Sequence, residues 1–247
     1  MHDGHAMSSH RSSLSRILDQ LEGFYGPPKP PQSILRSLNG RGDPYEMILY
    51  TNCGYPATDA ACMKGFELLK KGVGLEPQKI LAAPEAKLLA VARKCGMLPE
   101  VRVQRWREIA ARVKHEFGGD LHSALKKPLP EAKKAIKLFP TIGDPGADKI
   151  LLFTKTAPIA AVPSNCVEVT LRLRSGEMKK NYAQNYRAAQ EILRAELPED
   201  CDALLRGYLL LKQHGQEICK RTRPLCEACP VSSSCAYFGR LRGAGGR

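Results

Sequence analysis

Apolar residues recur three and four positions apart along most of this chain, the spacing that places them on one stripe of an α-helix. Leu14, Ile17, Leu18 and Leu21 predict a first helix beginning near Ser13. It is expected to stop before Gly26-Pro27-Pro28-Lys29-Pro30-Pro31, a stiff linker. Met47, Ile48 and Leu49 lead into a break at Cys53-Gly54-Tyr55-Pro56. Thr58 or Asp59 can then cap a helix carrying Met63, Phe66, Leu68 and Leu69. Leu88, Leu89, Val91 and Ala92 mark another helix. Val103, Trp106, Ile109, Ala110 and Val113 mark a third, with Arg and Lys on its other face. Ala132, Ala135 and Ile136 run into Leu138-Phe139-Pro140. Towards the end, Tyr182 to Leu197 carries Tyr186, Ala189, Ile192 and Leu193, and Asp202 to His214 carries Leu204, Leu205, Tyr208, Leu209 and Leu211. Only Val167 to Leu173 alternates as a strand would. The pattern predicts an all-α protein with no repeat of fixed period.

Composition narrows the class. With 247 residues, 43% hydrophobic and 26% charged, the chain can bury a sizeable core, and intrinsic disorder is excluded for most of it. No apolar run is long enough for a membrane helix, so no membrane partner is expected. Residues 1–13, rich in His and Ser and without an apolar core, read as a flexible tail and not as a secretion signal. An Arg/Gly stretch with Arg240, Arg242 and Arg247 makes residues 240–247 a second tail. Thirty-eight Lys and Arg against 25 Asp and Glu give a net charge of +13, which favours a polyanionic partner such as nucleic acid.

The nine cysteines, an odd number without a secretion signal, argue against a disulfide framework. Cys53, Cys62, Cys95, Cys166 and Cys201 are scattered and read as small core residues. The other four stand close together as Cys219-x6-Cys226-x2-Cys229-x5-Cys235. Four thiolates in one loop can wrap a metal centre, and soft sulfur selects iron–sulfur or zinc. A zinc ribbon usually supplies two close pairs, whereas only one is present here.

This spacing resembles the [4Fe-4S] loop of the endonuclease III branch of the helix-hairpin-helix (HhH-GPD) DNA glycosylases. His214-Gly215 stands where that family carries a His-Gly pair before the first cysteine. Phe139-Pro140-Thr141-Ile142-Gly143-Asp144-Pro145-Gly146-Ala147-Asp148 resembles the family's second signature, Leu-Pro-Gly-Val-Gly followed by a helix. Asp43-Pro44 to Asp59, Gly96 to Trp106 and Gly118-Gly119-Asp120-Leu121 extend the likeness over all but the termini. The resemblance implies a [4Fe-4S] cluster held by Cys219, Cys226, Cys229 and Cys235. It implies double-stranded DNA as partner, bound through Pro140, Thr141, Ile142, Gly143 and Gly146 of the hairpin and through Lys220, Arg221 and Arg223 of the cysteine loop. It also implies a six-helix barrel over residues 44–163 with the hairpin at 139–147, and a cluster domain built from 14–43 and 164–239. A cleft between the two would take DNA and a flipped nucleotide. The chain is expected to act as a monomer in the cytoplasm, nucleoid-associated if bacterial.

Two positions depart from the family. Strand-nicking members carry a Lys two residues past the hairpin's last Gly, where the amine forms a Schiff base with the sugar. Pro145 takes that place here. The family Asp, in a Val-Asp-Thr-His-like stretch, supports the cation-like sugar. The matching stretch is Ala161-Val162-Pro163-Ser164-Asn165-Cys166, so Pro163 takes its place. Thr141 replaces the hairpin's first glycine and Asp144 brings a negative charge close to the phosphate position, both of which weaken the expected contact. Asp144, Asp148 and Lys149 are the candidates for a displaced catalytic group, with Glu168 behind them. As an alternative to catalysis, Asp144 and Pro145 suit the N-cap and first position of a helix. Asn52 is the candidate to fill the gap left in the duplex, where the family often has Gln. Three readings stay open at this point: a reader of damaged or distorted DNA without the usual chemistry, a working glycosylase with a displaced group, and a basic iron–sulfur electron carrier. Zinc in the same loop is a fourth.

Overall fold

The structure, a computed structural model, describes residues 13–29, 42–54 and 59–244. Tail residues 1–12, Pro30 and Pro31, the stretch Tyr55 to Thr58, and Arg247 lie outside them. The described residues form thirteen α-helices and two short 3-10 turns, with no strand among them. The chain is all-α, as its periodicity predicts. No helix among the described residues is long and apolar enough to cross a membrane. Two compact units result. One takes the described residues up to Pro28 together with those from Val162 on, and the other runs from Lys29 to Ala161.

In the first unit, α1 spans Leu14–Tyr25. Ser13 caps it by accepting from the Arg16 amide, and Gly26 ends it in a left-handed backbone (φ 79°) that a side chain would resist. Its stripe of Leu14, Ile17, Leu18 and Leu21 is buried. The remaining helices follow late in the chain: α10 (Val167–Arg174), α11 (Tyr182–Glu196), α12 (Cys201–Glu217) and α13 (Ala236–Ala244). Asn181 caps α11 and Asp200 caps α12, each through its side-chain oxygen. α10 packs against α11, α12 and α13, which makes it the central helix of this unit. It therefore buries Val167, Val169, Thr170, Leu171, Arg172 and Leu173. Burial all round removes the one-sided stripe, and this explains why the segment alternates like a strand yet folds as a helix. α13 runs on through Arg240 and Arg242, expected in a tail, because Arg240 donates to the Ser175 carbonyl at 2.8 Å and pairs with Glu177 at 3.0 Å.

The second unit holds α2 (Pro44–Gly54), α3 (Asp59–Gly72), α4 (Pro77–Ala82), α5 (Glu85–Arg93), α6 (Pro99–Glu116), α7 (His122–Leu125), α8 (Leu129–Ile136) and α9 (Asp144–Phe153). Six of these have eight residues or more, and α4 and α7 are short connecting helices of six and four residues. α2 packs on α3, α6 and α9 and is buried on nearly every side, with Met47, Ile48, Leu49, Tyr50, Asn52 and Cys53 inside. Trp106 of α6, Phe66 of α3 and Phe153 of α9 are the largest side chains fully buried in this core. α8 and α9 pack together across the turn at Phe139–Gly143. That helix–turn–helix is the hairpin.

Candidate cysteine centre and nucleic-acid interface

α12 ends at Glu217, and the chain then runs as a loop through both 3-10 turns to α13. Backbone bonds fold it tightly. The Cys219 amide donates to the His214 carbonyl at 2.7 Å, and the Leu225 amide to the Ile218 carbonyl at 2.9 Å. Each 3-10 turn presents a cysteine: the Cys229 amide donates back to Cys226 and the Cys235 amide back to Ser232. As a result Cys219, Cys226, Cys229 and Cys235 line one cavity. His214, Leu173, Ile218, Leu225 and Phe238 help wall it.

The surroundings of the thiols explain their chemistry. Burial pushes the Cys229 thiol up to about 11 and raises Cys219 and Cys226 as well. These three thiols thus resist ionising on their own, whereas bound iron or zinc would favour the thiolates. Arg172, 4% exposed, reaches out of α10 beneath the loop. Its guanidinium donates to the Lys220 carbonyl at 2.9 Å, the Arg221 carbonyl at 2.7 Å and the Cys219 Sγ at 3.6 Å, and it lies 5.3 Å from the Tyr237 ring centre. His214, fully buried, stands between Tyr25 (2.9 Å from Nδ1) and Cys229 (3.6 Å from Nε2), and burial lowers its pKa to about 4. The next residue must be Gly, because a Cβ at Gly215 would come within 2.6 Å of the Cys166 Sγ. The donor set, four thiols around one walled cavity, fits an iron–sulfur cluster. No three His, Cys, Asp or Glu side chains among the described residues stand close enough together to hold a single ion. The loop turns Lys220, Arg221 and Arg223 outward. Arg221 approaches Glu168 at 3.3 Å while staying 76% exposed.

The hairpin is built differently. The Ile142 amide closes the turn on the Phe139 carbonyl at 3.2 Å. Gly143 is the N-cap of α9, so Asp144 takes the first helical position and Pro145 the second. The first-turn amides at Asp144 and Gly146 have no carbonyl partner within the helix, and Pro145 has no N–H. Thr141 and Gly143 are exposed, Pro140 and Gly146 half-buried, and Ile142 buried. Thr141 has φ 66°, a left-handed backbone that costs an ordinary residue roughly 1–2 kcal/mol. Asn52 explains how it is held. This side chain is 1% exposed. Its Nδ2 donates to the carbonyls of Ile48 and Pro140, both at 3.0 Å, and its Oδ1 accepts from the Thr141 hydroxyl at 3.2 Å. The residue singled out to fill a duplex gap is thus committed to the hairpin.

The three candidates for displaced catalysis are all engaged. Asp144 is exposed and pairs with Lys137 at 2.9 Å and Lys133 at 3.5 Å, and these lysines hold its carboxyl below the usual range. Asp148 is buried, and Lys133 reaches it at 2.6 Å. Lys149 lies over the rings of Tyr50 and Phe153, 5.8 and 5.5 Å from their centres. Pro163 is buried and opens a tight turn closed by the Cys166 amide on its carbonyl at 2.9 Å, with Ser164 and Asn165 exposed. Sequence reasoning missed Arg172, hidden in the strand-like stretch, and Lys133, one of two adjacent lysines in α8. It also missed Met97 and Leu98, which are 74% and 60% exposed before α6. Two large apolar residues between Gly96 and Pro99 were the available signal.

No family model matches the chain. It is 25% identical over 207 residues to an endonuclease III of Thermotoga maritima, covering 82% of this chain and 87% of that protein. A thymine-DNA glycosylase of Aeropyrum pernix is 22% identical over 162 residues, 66% of this chain and 69% of its own. The fold matches a non-covalent endonuclease III–DNA complex with a TM-score of 0.66 at 17% identity, over 93% of this chain and 97% of that one. These likenesses support an endonuclease III-like member of the helix-hairpin-helix DNA glycosylase superfamily. A thermostable thymine-DNA glycosylase shares the superfamily fold with a TM-score of 0.69 at 19% identity, over 92% of this chain and 96% of that one. Of the two prolines singled out by the signatures, Pro145 lies in the first turn of α9 and Pro163 in the turn before α10.

Proposed function

We propose that this chain binds damaged or distorted duplex DNA as a base-excision-repair protein of the glycosylase type, without the Lys/Asp chemistry of strand nicking and base removal. The observation that carries the reading is the cysteine loop. Four thiols line one cavity while Lys220, Arg221 and Arg223 of the same loop face outward. Cys219, Cys226, Cys229 and Cys235 would hold a [4Fe-4S] cluster, which supplies, when bound, a rigid anchor for that basic loop. Thiols spread around a cavity suit a polynuclear centre better than a lone zinc, which draws its ligands in to one point. Arg172 holds the loop's carbonyls from below, so its cations stay outside for phosphates. In the other unit the open amides of α9 suit one phosphate, and the exposed Met97 and Leu98 suit insertion between base steps.

Covalent chemistry lacks its groups at the expected places. Proline at 145 has no amine to attack a sugar, and proline at 163 has no carboxylate to face a sugar cation. Asp144, Asp148 and Lys149 are each engaged with a partner, which disfavours an active glycosylase with a displaced group. The test is borohydride trapping on an abasic duplex with the brown, cluster-loaded protein, with binding measured on the same sample. Salt-sensitive binding without a trapped adduct is expected. A trapped adduct would overturn the absence of lysine chemistry, and no duplex binding at low salt would overturn the reading as a whole.

A further inference from the structure

The hairpin's strained residue and the buried amide beside it form a pair that the DNA-binding reading does not use. Thr141 is a β-branched residue in a left-handed backbone, where glycine is the usual occupant. Its neighbour in space, Asn52, comes from α2, 89 positions earlier. Asn52 is nearly inaccessible and spends both amide functions on this turn and its own helix. The Pro140 carbonyl and the Thr141 hydroxyl lie at consecutive residues of the turn, so two bonds from one side chain fix both its position and its rotation. Gly143, by contrast, has φ −92° and no atom nearer than 3.9 Å to where a Cβ would stand. The backbone constraint in this hairpin therefore lies at Thr141, and the group that enforces it is Asn52.

We infer that Asn52 is a positioning residue for the hairpin: with the Thr141 hydroxyl it forms a latch that holds a non-glycine turn in the shape that exposes the α9 amides to a phosphate. This rests on the reading of the hairpin as a DNA contact. The latch does the work that backbone freedom does when glycine occupies the position. It also couples the hairpin to α2, so that the turn's shape depends on a helix distant in sequence.

Thr141 is exposed, so its variants can be compared without disturbing the core. Four full-length variants suffice: Thr141→Val, Thr141→Gly, Asn52→Ala, and Asn52→Ala with Thr141→Gly. The readouts are duplex affinity and hydrogen exchange of the hairpin amides. Emission of the single tryptophan, Trp106, which is fully buried in the same unit, serves as a check of its fold. Thr141→Val keeps the strain and loses the bond, so affinity should fall about tenfold and the hairpin amides should exchange faster. Thr141→Gly relieves the strain and needs no latch, so its hairpin amides should exchange about as slowly as those of the parent. Asn52→Ala should behave like Thr141→Val, and adding Thr141→Gly should recover most of the loss. Equal effects of Val and Gly at 141, or an Asn52→Ala variant with unchanged hairpin exchange, would overturn the latch. If the parent protein binds no duplex, the functional reading fails separately, and the exchange data alone still decide whether Asn52 holds the turn.

Discussion

The cysteine loop and the hairpin carry their charges in opposite ways. In the loop the cation that bonds to the protein is Arg172, buried, with both terminal nitrogens donating to backbone carbonyls. Lys220 and Arg223 are exposed, with no ion pair seen for either among the described residues, and Arg221 is largely exposed beside Glu168. In the hairpin the cations are paired: Lys133 serves Asp148 and Asp144, and Lys137 serves Asp144. Two basic regions of similar appearance in the sequence thus differ in what they can offer a polyanion. The loop offers free charge. The hairpin offers backbone amides, with its nearby charge largely neutralised. We expect the loop to supply the salt-dependent affinity and the hairpin to set register.

The largest effect should come from breaking the loop's anchor. Cys226→Ala or Cys229→Ala is expected to abolish the brown colour and to lower the melting temperature, because metal-binding free energy is folding free energy in such sites. Variants that stay brown and melt unchanged would refute the ligand assignment. Next, Lys133→Met removes the lysine paired with a buried carboxylate. A cost of about 2–3 kcal/mol is expected, less than for a fully buried pair because Lys133 is 31% exposed. Adding Asp148→Asn should recover part of it, as denaturant titration would show.

The comparison sharpens on charge. Replacing Lys220, Arg221 and Arg223 together by Ala should lower the slope of log affinity against log salt by about 2.7, a roughly 40-fold effect over a fourfold change in salt. The same measurement on Lys133→Met should leave the slope nearly unchanged. The smallest effect belongs to Asp144→Asn. The hydrogen bond from Lys137, helped by Lys133, holds this carboxyl below its usual range. A lowered folded-state pKa stabilises the fold above the ordinary carboxylate range and loses that contribution as pH falls through the folded value. Asp144 is 55% exposed, so solvent screening limits the contribution to a few tenths of a kcal/mol, roughly. The variant should therefore be slightly less stable at neutral pH, with the difference vanishing in acid, while binding duplex more tightly because Lys137 is released.

Legibility in the sequence followed how local each feature is. The stripe of α1, its start near Ser13 and its stop before Gly26 were readable because they lie within a few turns of one another. The cysteine loop was readable because its spacing is contained in a short segment. α10 was not, since burial on all sides erased the helical stripe that α1 shows. α2 has the same all-round burial, and there the run Met47-Ile48-Leu49 gave only a rough position. The bonds of Asn52 to Pro140 and Thr141 join residues nearly ninety positions apart, and no periodicity records them. Nothing in the sequence sets Lys133 apart from Lys134, and only the burial of Asp148 identifies its partner. Pro145 and Pro163 were legible as departures from the signatures, and the structure adds what surrounds those prolines.

The central claim is that this chain keeps the superfamily's scaffold for holding DNA and lacks its bond-breaking groups. The most direct measurement is a single-turnover panel with the cluster-loaded protein in excess. Its duplexes carry uracil, oxidised pyrimidines, oxidised guanine, mismatches, alkylated bases or an abasic site. Base release and strand cleavage are scored separately, beside binding on the same samples. The account predicts tight, salt-sensitive binding to some of these duplexes with neither base release nor cleavage on any. Base release on one of them, lost on changing Asp144, Asp148 or Lys149, would contradict it and move the chemistry to α9.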